Sequence, residues 1–314
     1  MAPPTASDTT GTPMAIGPTE RPDVVAAVIR GGGRVVDFAS AEGCVWLDLK
    51  DLDSFRSRMH PGLRWVQLPA AGVESWVEYI ASDSDRHYTS AAGAYAPQVA
   101  EHTLALMLAG GRLLHRNART STWEGREARE GTTLFDAEVL IVGCGGIGEV
   151  LIKLLAPFRA HVIAVTRSGR TVPGAAESHA FEDLDGLWGR APFVVLAAPL
   201  TPATRHVVNA EALAAMRSDA WIVNVGRGEL IDTDALVSTL QSHTILGAAL
   251  DVTAPEPLPD GHPLWDLEDV LITPHTANPK PLLLARLADR IEDNVRRFGA
   301  GEDLEGVIVP GAGY

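Results

Sequence analysis

A strand, a glycine hexapeptide and a helix in that order leave few folds open to this chain. The apolar run 139–142 is followed by Gly143-Cys144-Gly145-Gly146-Ile147-Gly148 and then by the helical segment 149–155. In such a loop the first glycine permits the tight turn, the second lets the backbone approach a pyrophosphate, and the third lets helix and strand pack closely. The helix N-terminus then turns free amides toward the phosphates. A glycine-rich turn with no ligand is the alternative, and the flanking strand and helix argue against it.

Further compact apolar runs follow at 162–165, 193–197, 221–225, 245–250 and 270–272, so six strands are expected with 139–142. Helical segments at 149–155, 210–216 and 234–240 separate them. Strands apolar on both faces belong to a parallel sheet covered by helices. Before this region, runs such as 24–29 and 44–47 read as strands alternating with helices. Residues 96–119 read as a buried helix, apolar nearly all round, that Gly110 and Gly111 weaken locally. A last helical stretch, 281–298, follows the sixth strand and is expected to pack back on the N-terminal domain.

The 314 residues exceed the size of one ordinary core, which implies two domains. The formal charge of -14 disfavours nucleic acid and anionic membranes as partners, and an anionic substrate then needs a local arginine or backbone amides. No apolar run approaches the roughly 20 residues that span a bilayer. Residues 1–22, rich in Pro, Thr, Ser and Ala at the start, read as a disordered lead and not as a signal peptide. Cys44 and Cys144 are expected to be free thiols, which points to a reducing, cytoplasmic setting. Ten histidines and two cysteines show no paired metal-ligand spacing, so no metal is expected.

About 20 residues past the glycine loop, a carboxylate ordinarily accepts the adenosine ribose hydroxyls. Here the chain reads Thr166, Arg167 and Ser168, with Arg170 close behind. A guanidinium flanked by hydroxyls suits a 2'-phosphate, so NADP(H) is favoured over NAD(H); neutral replacements also leave an NAD enzyme working.

Arg227, Glu256 and His275 sit just past the fourth, fifth and sixth expected strands, the edge where open α/β sheets bind ligands. Reduction of a ketone needs an acid near neutral pH, which His275 can supply. Glu256 can hold the imidazole, and Arg227 offers a planar cation to a substrate carboxylate. Singly, each also reads as a loop histidine, a turn carboxylate or a surface arginine. Their placement at successive strand ends favours chemistry.

These stretches resemble the D-isomer-specific 2-hydroxyacid dehydrogenase family, which includes phosphoglycerate dehydrogenases and glyoxylate/hydroxypyruvate reductases. The likeness runs through Leu63 to Gln67 with Ala71-Gly72-Val73, then Val99-Ala100-Glu101-His102, the glycine loop and Pro199-Leu200-Thr201. It continues through residues 224–230, 251–257 and 273–277. The resemblance implies Arg227, Glu256 and His275 as catalytic residues, and amides of Ala70, Ala71 and Gly72 beside Arg227 as carboxylate binders. It also implies that Gly143, Gly145, Gly146, Ile147, Gly148, Pro199, Thr201, Val225, Gly226, Asp251, His275 and Ala277 line the cofactor. A homodimer through the helix after Glu101 is implied as well.

The expected fold is α/β, with two Rossmann-like doubly wound domains. Residues 23–110 with 280–314 form a discontinuous substrate domain completed by the C-terminal helix, and residues 111–279 bind the dinucleotide. The expected function is hydride transfer between NAD(P)H and a small 2-oxo or D-2-hydroxy acid. A dinucleotide-sensing, corepressor-like binding protein on the same scaffold is the alternative.

Overall fold

The computed structural model describes residues 11–125 and 131–310. Its chain divides into two α/β units, one of residues up to Tyr95 together with those from Lys280, the other Ala96–Pro279.

The first unit holds five parallel strands: Thr12–Gly17 (β1), Gly33–Val35 (β2), Gly43–Trp46 (β3), Trp65–Gln67 (β4) and His87–Thr89 (β5), in the order β2-β1-β3-β4-β5. Strand β1 corrects the reading of 1–22 as a lead: Met14 and Ala15 are fully buried in a strand paired on both sides, by β2 and β3, although Pro13 and Thr12 give the segment a loop-like composition. The part of that reading on residues 1–10 lies outside the described residues. Run 24–29 is also corrected, since it lies within helix Pro22–Arg30 (α1), not in a strand. Pro22 starts it, and Val24, Ala27 and Val28 bury one face at helical spacing while Ile29 is exposed. Short helices Leu52–Arg56 (α2) and Val77–Ser82 (α3) follow on the way to β5.

The final helix, Lys280–Ala300 (α9 in chain order), packs on α1 and completes the helix set of this unit. Arg30 Nε donates to Glu292 Oε2 at 2.7 Å across the pair. Beneath α9 lies a buried polar network. Asn294 Nδ2 donates to Gln67 Oε1 and to the Glu305 carbonyl, both at 2.9 Å, and its Oδ1 accepts from Glu305 N at 2.8 Å. Thr89 Oγ1 donates to the same Gln67 oxygen and accepts from Trp65 Nε1, both at 2.9 Å. Asn294→Ala strips partners from a buried peptide, which costs about 2–4 kcal/mol of stability. Urea unfolding should report it as an earlier midpoint; a loss below about 0.5 kcal/mol would show the network to be incidental.

The second unit begins with helix Ala96–Gly111 (α4) and the single turn Leu114–Asn117 (α5). The sequence reading gave α4 to the N-terminal domain, with a boundary after residue 110. Its packing places it here, against the helix of the glycine loop and the sheet. The helix runs through Gly110 and Gly111 because a Cβ at either would sit 2.7 Å from the Trp221 ring or 2.8 Å from the Phe193 ring. Close approach explains both glycines.

Seven parallel strands form the sheet, one more than expected: Glu138–Val142 (β6), His161–Thr166 (β7), Glu177–Ala180 (β8), Phe193–Leu196 (β9), Trp221–Asn224 (β10), Gly247–Leu250 (β11) and Val270–Ile272 (β12). Their order is β12-β11-β10-β9-β6-β7-β8. The unforeseen strand, β8, is a polar edge strand whose Glu177 binds Arg190 through both carboxylate oxygens at 2.7 and 2.8 Å. Helices Gly146–Leu155 (α6), Ala210–Ala215 (α7) and Thr233–Gln241 (α8) connect the strands, with Asn209 and Asp232 capping the last two. Strand order reverses at β6, between β7 and β9, which places the glycine loop at the switch point of the sheet.

Candidate active site

The loop after β6 has the shape a dinucleotide requires. Gly143 has φ +97°, and a Cβ there would meet Ala198 N at 2.4 Å. At Gly148 a Cβ would lie 2.9 Å from the Gly143 carbonyl, so strand and helix touch. Gly145 by contrast faces open space, with nothing within 4 Å of an added Cβ. Helix α6 starts at Gly146 and Ile147 with no side chain capping its first amides. A pyrophosphate fits this cradle. Cys144 is turned into the core, where burial pushes its thiol up to about 12, so it takes no nucleophilic part.

At the end of β7, Thr166 is buried and its Oγ1 has no hydrogen-bond partner among the described residues. Arg167 and Ser168 are exposed beside it. Arg170, a further candidate for the phosphate, is engaged elsewhere: it donates to the Cys144 carbonyl at 2.8 Å and to Glu149 Oε1 at 2.5 Å. Past β9, Thr201 N and Thr204 Oγ1 close a turn at 2.8 Å, and Thr204 donates to the Pro199 carbonyl at 2.6 Å.

Strands β10, β11 and β12 are adjacent, so the loops carrying Arg227, Glu256 and His275 emerge side by side, at strand spacings of roughly 4.8 Å. The first loop is shaped by buried Asn224, which donates to the Arg227 carbonyl at 2.9 Å and accepts from Gly226 N at 3.1 Å. Arg227 Nη1 donates to the Gly226 carbonyl at 2.7 Å. Gly228 allows this loop to rest on the next, since a Cβ there would fall 2.0 Å from the Thr253 backbone. Val225, Gly226 and Ala277 are buried along the same edge.

His275 Nδ1 and Glu256 Oε1 are 2.6 Å apart, and both side chains are about half exposed. With Nδ1–H given to the carboxylate, Nε2 is the nitrogen left to exchange a proton. His275 has φ +52°, a conformation that a non-glycine residue holds only where its surroundings impose it. Asp251 imposes it. Its carbonyl accepts from His275 N at 2.9 Å, its Oδ1 from Thr276 N at 2.9 Å and Thr273 Oγ1 at 2.6 Å, and its Oδ2 from Ala277 N at 3.1 Å. Burial pushes the Asp251 carboxyl up, but hydrogen bonds from His102, Thr273, Thr276 and Ala277 outweigh it and hold the group below the usual carboxylate range. The sequence reading had Asp251 only along the cofactor, and it missed both this brace and His102. A lone Asp after a strand carries no signal of what it will hold.

Ala70, Ala71 and Gly72 belong to the first unit, beyond the end of β4. The Ala70 carbonyl accepts from Ala91 N at 2.9 Å, and Tyr95 Oη donates to the Pro69 carbonyl at 2.7 Å. Among the described residues the amides of Ala70, Ala71 and Gly72 donate to no protein acceptor, as an anion-binding segment requires. No group of three His, Cys, Asp or Glu side chains is placed to hold a metal among the described residues. No described helix is long and apolar enough to cross a membrane.

Residues 103–277 match the family model described as D-isomer specific 2-hydroxyacid dehydrogenase, NAD binding domain. An uncharacterized protein in the proB 3' region of Corynebacterium melassecola is 41% identical over 300 residues, 92% of this chain and 95% of that one. D-3-phosphoglycerate dehydrogenase of Mycobacterium tuberculosis is 34% identical over 217 residues, 68% of this chain but only 41% of the longer relative. Among solved structures, a D-isomer specific 2-hydroxyacid dehydrogenase from Xanthobacter autotrophicus in complex with NADPH and MES superposes with a TM-score of 0.81 at 28% identity, covering 98% of this chain and 100% of the other.

Proposed function

The chain belongs to the D-isomer-specific 2-hydroxyacid dehydrogenase family, and on that premise we propose that it is an NADP(H)-preferring reductase of a small 2-oxo acid such as glyoxylate or hydroxypyruvate. It is an oxidoreductase that transfers a hydride between NAD(P)H and a small 2-oxo or 2-hydroxy acid. When bound, the reduced dinucleotide supplies that hydride. The glycine loop and the α6 N-terminus hold its pyrophosphate, with Pro199, Thr201, Val225, Gly226, Asp251 and Ala277 along its length.

The contact of His275 with Glu256 carries the reading. Glu256 orients the imidazole by taking its Nδ1–H and leaves Nε2 to deliver a proton to the substrate oxygen. Arg227 takes the substrate carboxylate and, with it, the orientation of the carbonyl. The amides of Ala70, Ala71 and Gly72 are proposed as further carboxylate donors.

The preference for NADP(H) rests on the end of β7, where no carboxylate stands and Arg167 and Ser168 are exposed. A relative of the same fold binds NADPH. Steady-state kinetics with both cofactors should favour NADPH, and Arg167→Ala should raise KM for NADPH by roughly 10- to 100-fold with little change for NADH. A wild-type preference for NADH, or equal losses with both cofactors, contradicts the assignment.

A homodimer is proposed as the assembly, supported by the exposure of Leu114 and Trp123 soon after α4. The cytoplasm is the proposed location, in keeping with two buried free thiols.

A further inference from the structure

We propose that His102, on α4, is a positioning residue for His275: it donates a hydrogen bond that fixes the Thr273 hydroxyl on Asp251 and so holds the loop presenting the imidazole. The inference rests on the role of His275 given above.

Proton counting sets the direction of these hydrogen bonds. Thr273 Oγ1 lies 2.6 Å from Asp251 Oδ1 and 3.0 Å from His102 Nε2. A hydroxyl has one proton and two lone pairs, whereas an ionised carboxylate only accepts. The Thr273 proton therefore goes to Asp251, and His102 Nε2 must carry hydrogen and donate to Thr273. The same nitrogen is 3.4 Å from Asp251 Oδ1, so its polar hydrogen also faces the carboxylate. Asp251 is almost fully buried, while the His102 side chain retains some exposure. A donor from a helix thus closes the shell around a buried anion that no guanidinium or ammonium pairs with among the described residues.

That anion is the brace of the loop. Both Asp251 oxygens are bound to the amides after His275, and the Asp251 carbonyl takes the His275 amide itself. Without the donor from His102, the Thr273 hydroxyl is held by Asp251 alone and the carboxylate loses a compensating dipole. The left-handed backbone of His275 then has less to hold it, and the imidazole spends less time in the working orientation.

A mere packing role for His102 makes the opposite forecast from a donor role when ring and donor are separated. His102→Phe keeps the ring and removes the donor; His102→Gln removes the ring and can place an amide N–H near the same point. We expect the Phe variant to lose roughly 10-fold in kcat with KM within about 3-fold, and to exchange the Thr276 and Ala277 amides roughly 10-fold faster, while the Gln variant stays within about 3-fold of wild type throughout. His102→Leu serves as a second donorless variant should the Phe protein fail to fold. Donorless variants at wild-type exchange and turnover, or a Gln variant as impaired as they are, would overturn the proposal. If the wild type reduces no 2-oxo acid, the functional reading fails, yet the exchange rates still decide whether His102 holds the loop.

Discussion

His275→Ala lowers turnover by about 10²- to 10⁴-fold, the loss expected when a general acid is removed. The remaining rate reflects positioning by Arg227 and by the rest of the dinucleotide site. One structural complication is addressable. Residue 275 has φ +52°, and an alanine in the left-handed region is strained by roughly 1–2 kcal/mol. Asn tolerates that region better, so His275→Asn separates loop strain from the loss of the acid. Both variants should be similarly slow in single-turnover reduction. An Asn variant near wild-type turnover means that the loop conformation, and not proton delivery, is what position 275 contributes.

Arg227→Ala is the second large effect, with kcat/KM for a 2-oxo acid reduced by about 10²- to 10³-fold. Arg227→Lys keeps the charge but loses the planar fork, so it should recover only part of that loss. The control is a substrate whose carboxylate is replaced by a neutral amide. Wild type should use it poorly, and the Arg227 variants should be little worse with it than wild type. If acid and amide lose equally, Arg227 shapes the loop between β10 and α8 and does not bind the carboxylate. Its hydrogen bond to the Gly226 carbonyl makes this outcome a real alternative to test.

The candidate site residues were legible because each announces itself locally. Gly143, Gly145 and Gly148 are spaced as strand, turn and helix demand; the structure gives a steric reason at Gly143 and at Gly148, while Gly145 leaves open space beside the helix N-terminus. Arg227, Glu256 and His275 follow three apolar runs that became adjacent parallel strands, so chain order mapped directly onto spatial order. Where local signals were weak or borrowed from elsewhere, the reading failed. Strand β1 begins with Thr12-Pro13 and has a buried interior that only the rest of its sheet explains. Strand β8 is Glu-Ser-His-Ala, polar because it lies at an edge, and an edge is a property of the finished sheet. The pair of glycines in α4 looked like a weak point, since nothing in the sequence shows that Trp221 and Phe193 will press against them.

The same distinction explains what sequence could not say about the site. Arg170 was a fair candidate for a phosphate until Glu149, 21 positions away, took its guanidinium. Asp251 and His102 are separated by 149 positions, and only the packing of α4 beside the sheet brings them together. Long-range polar contacts of this kind depend on the register of whole elements, which local patterns do not encode.

The most direct measurement is oxidation of NADPH by the purified chain in the presence of glyoxylate, hydroxypyruvate, pyruvate or a bulkier 2-oxo acid. At least one small 2-oxo acid should drive cofactor consumption, and His275→Ala should abolish most of it. A protein that binds NADPH yet consumes none with any of these acids would be a dinucleotide sensor, and the account of His275 as a proton donor would be wrong.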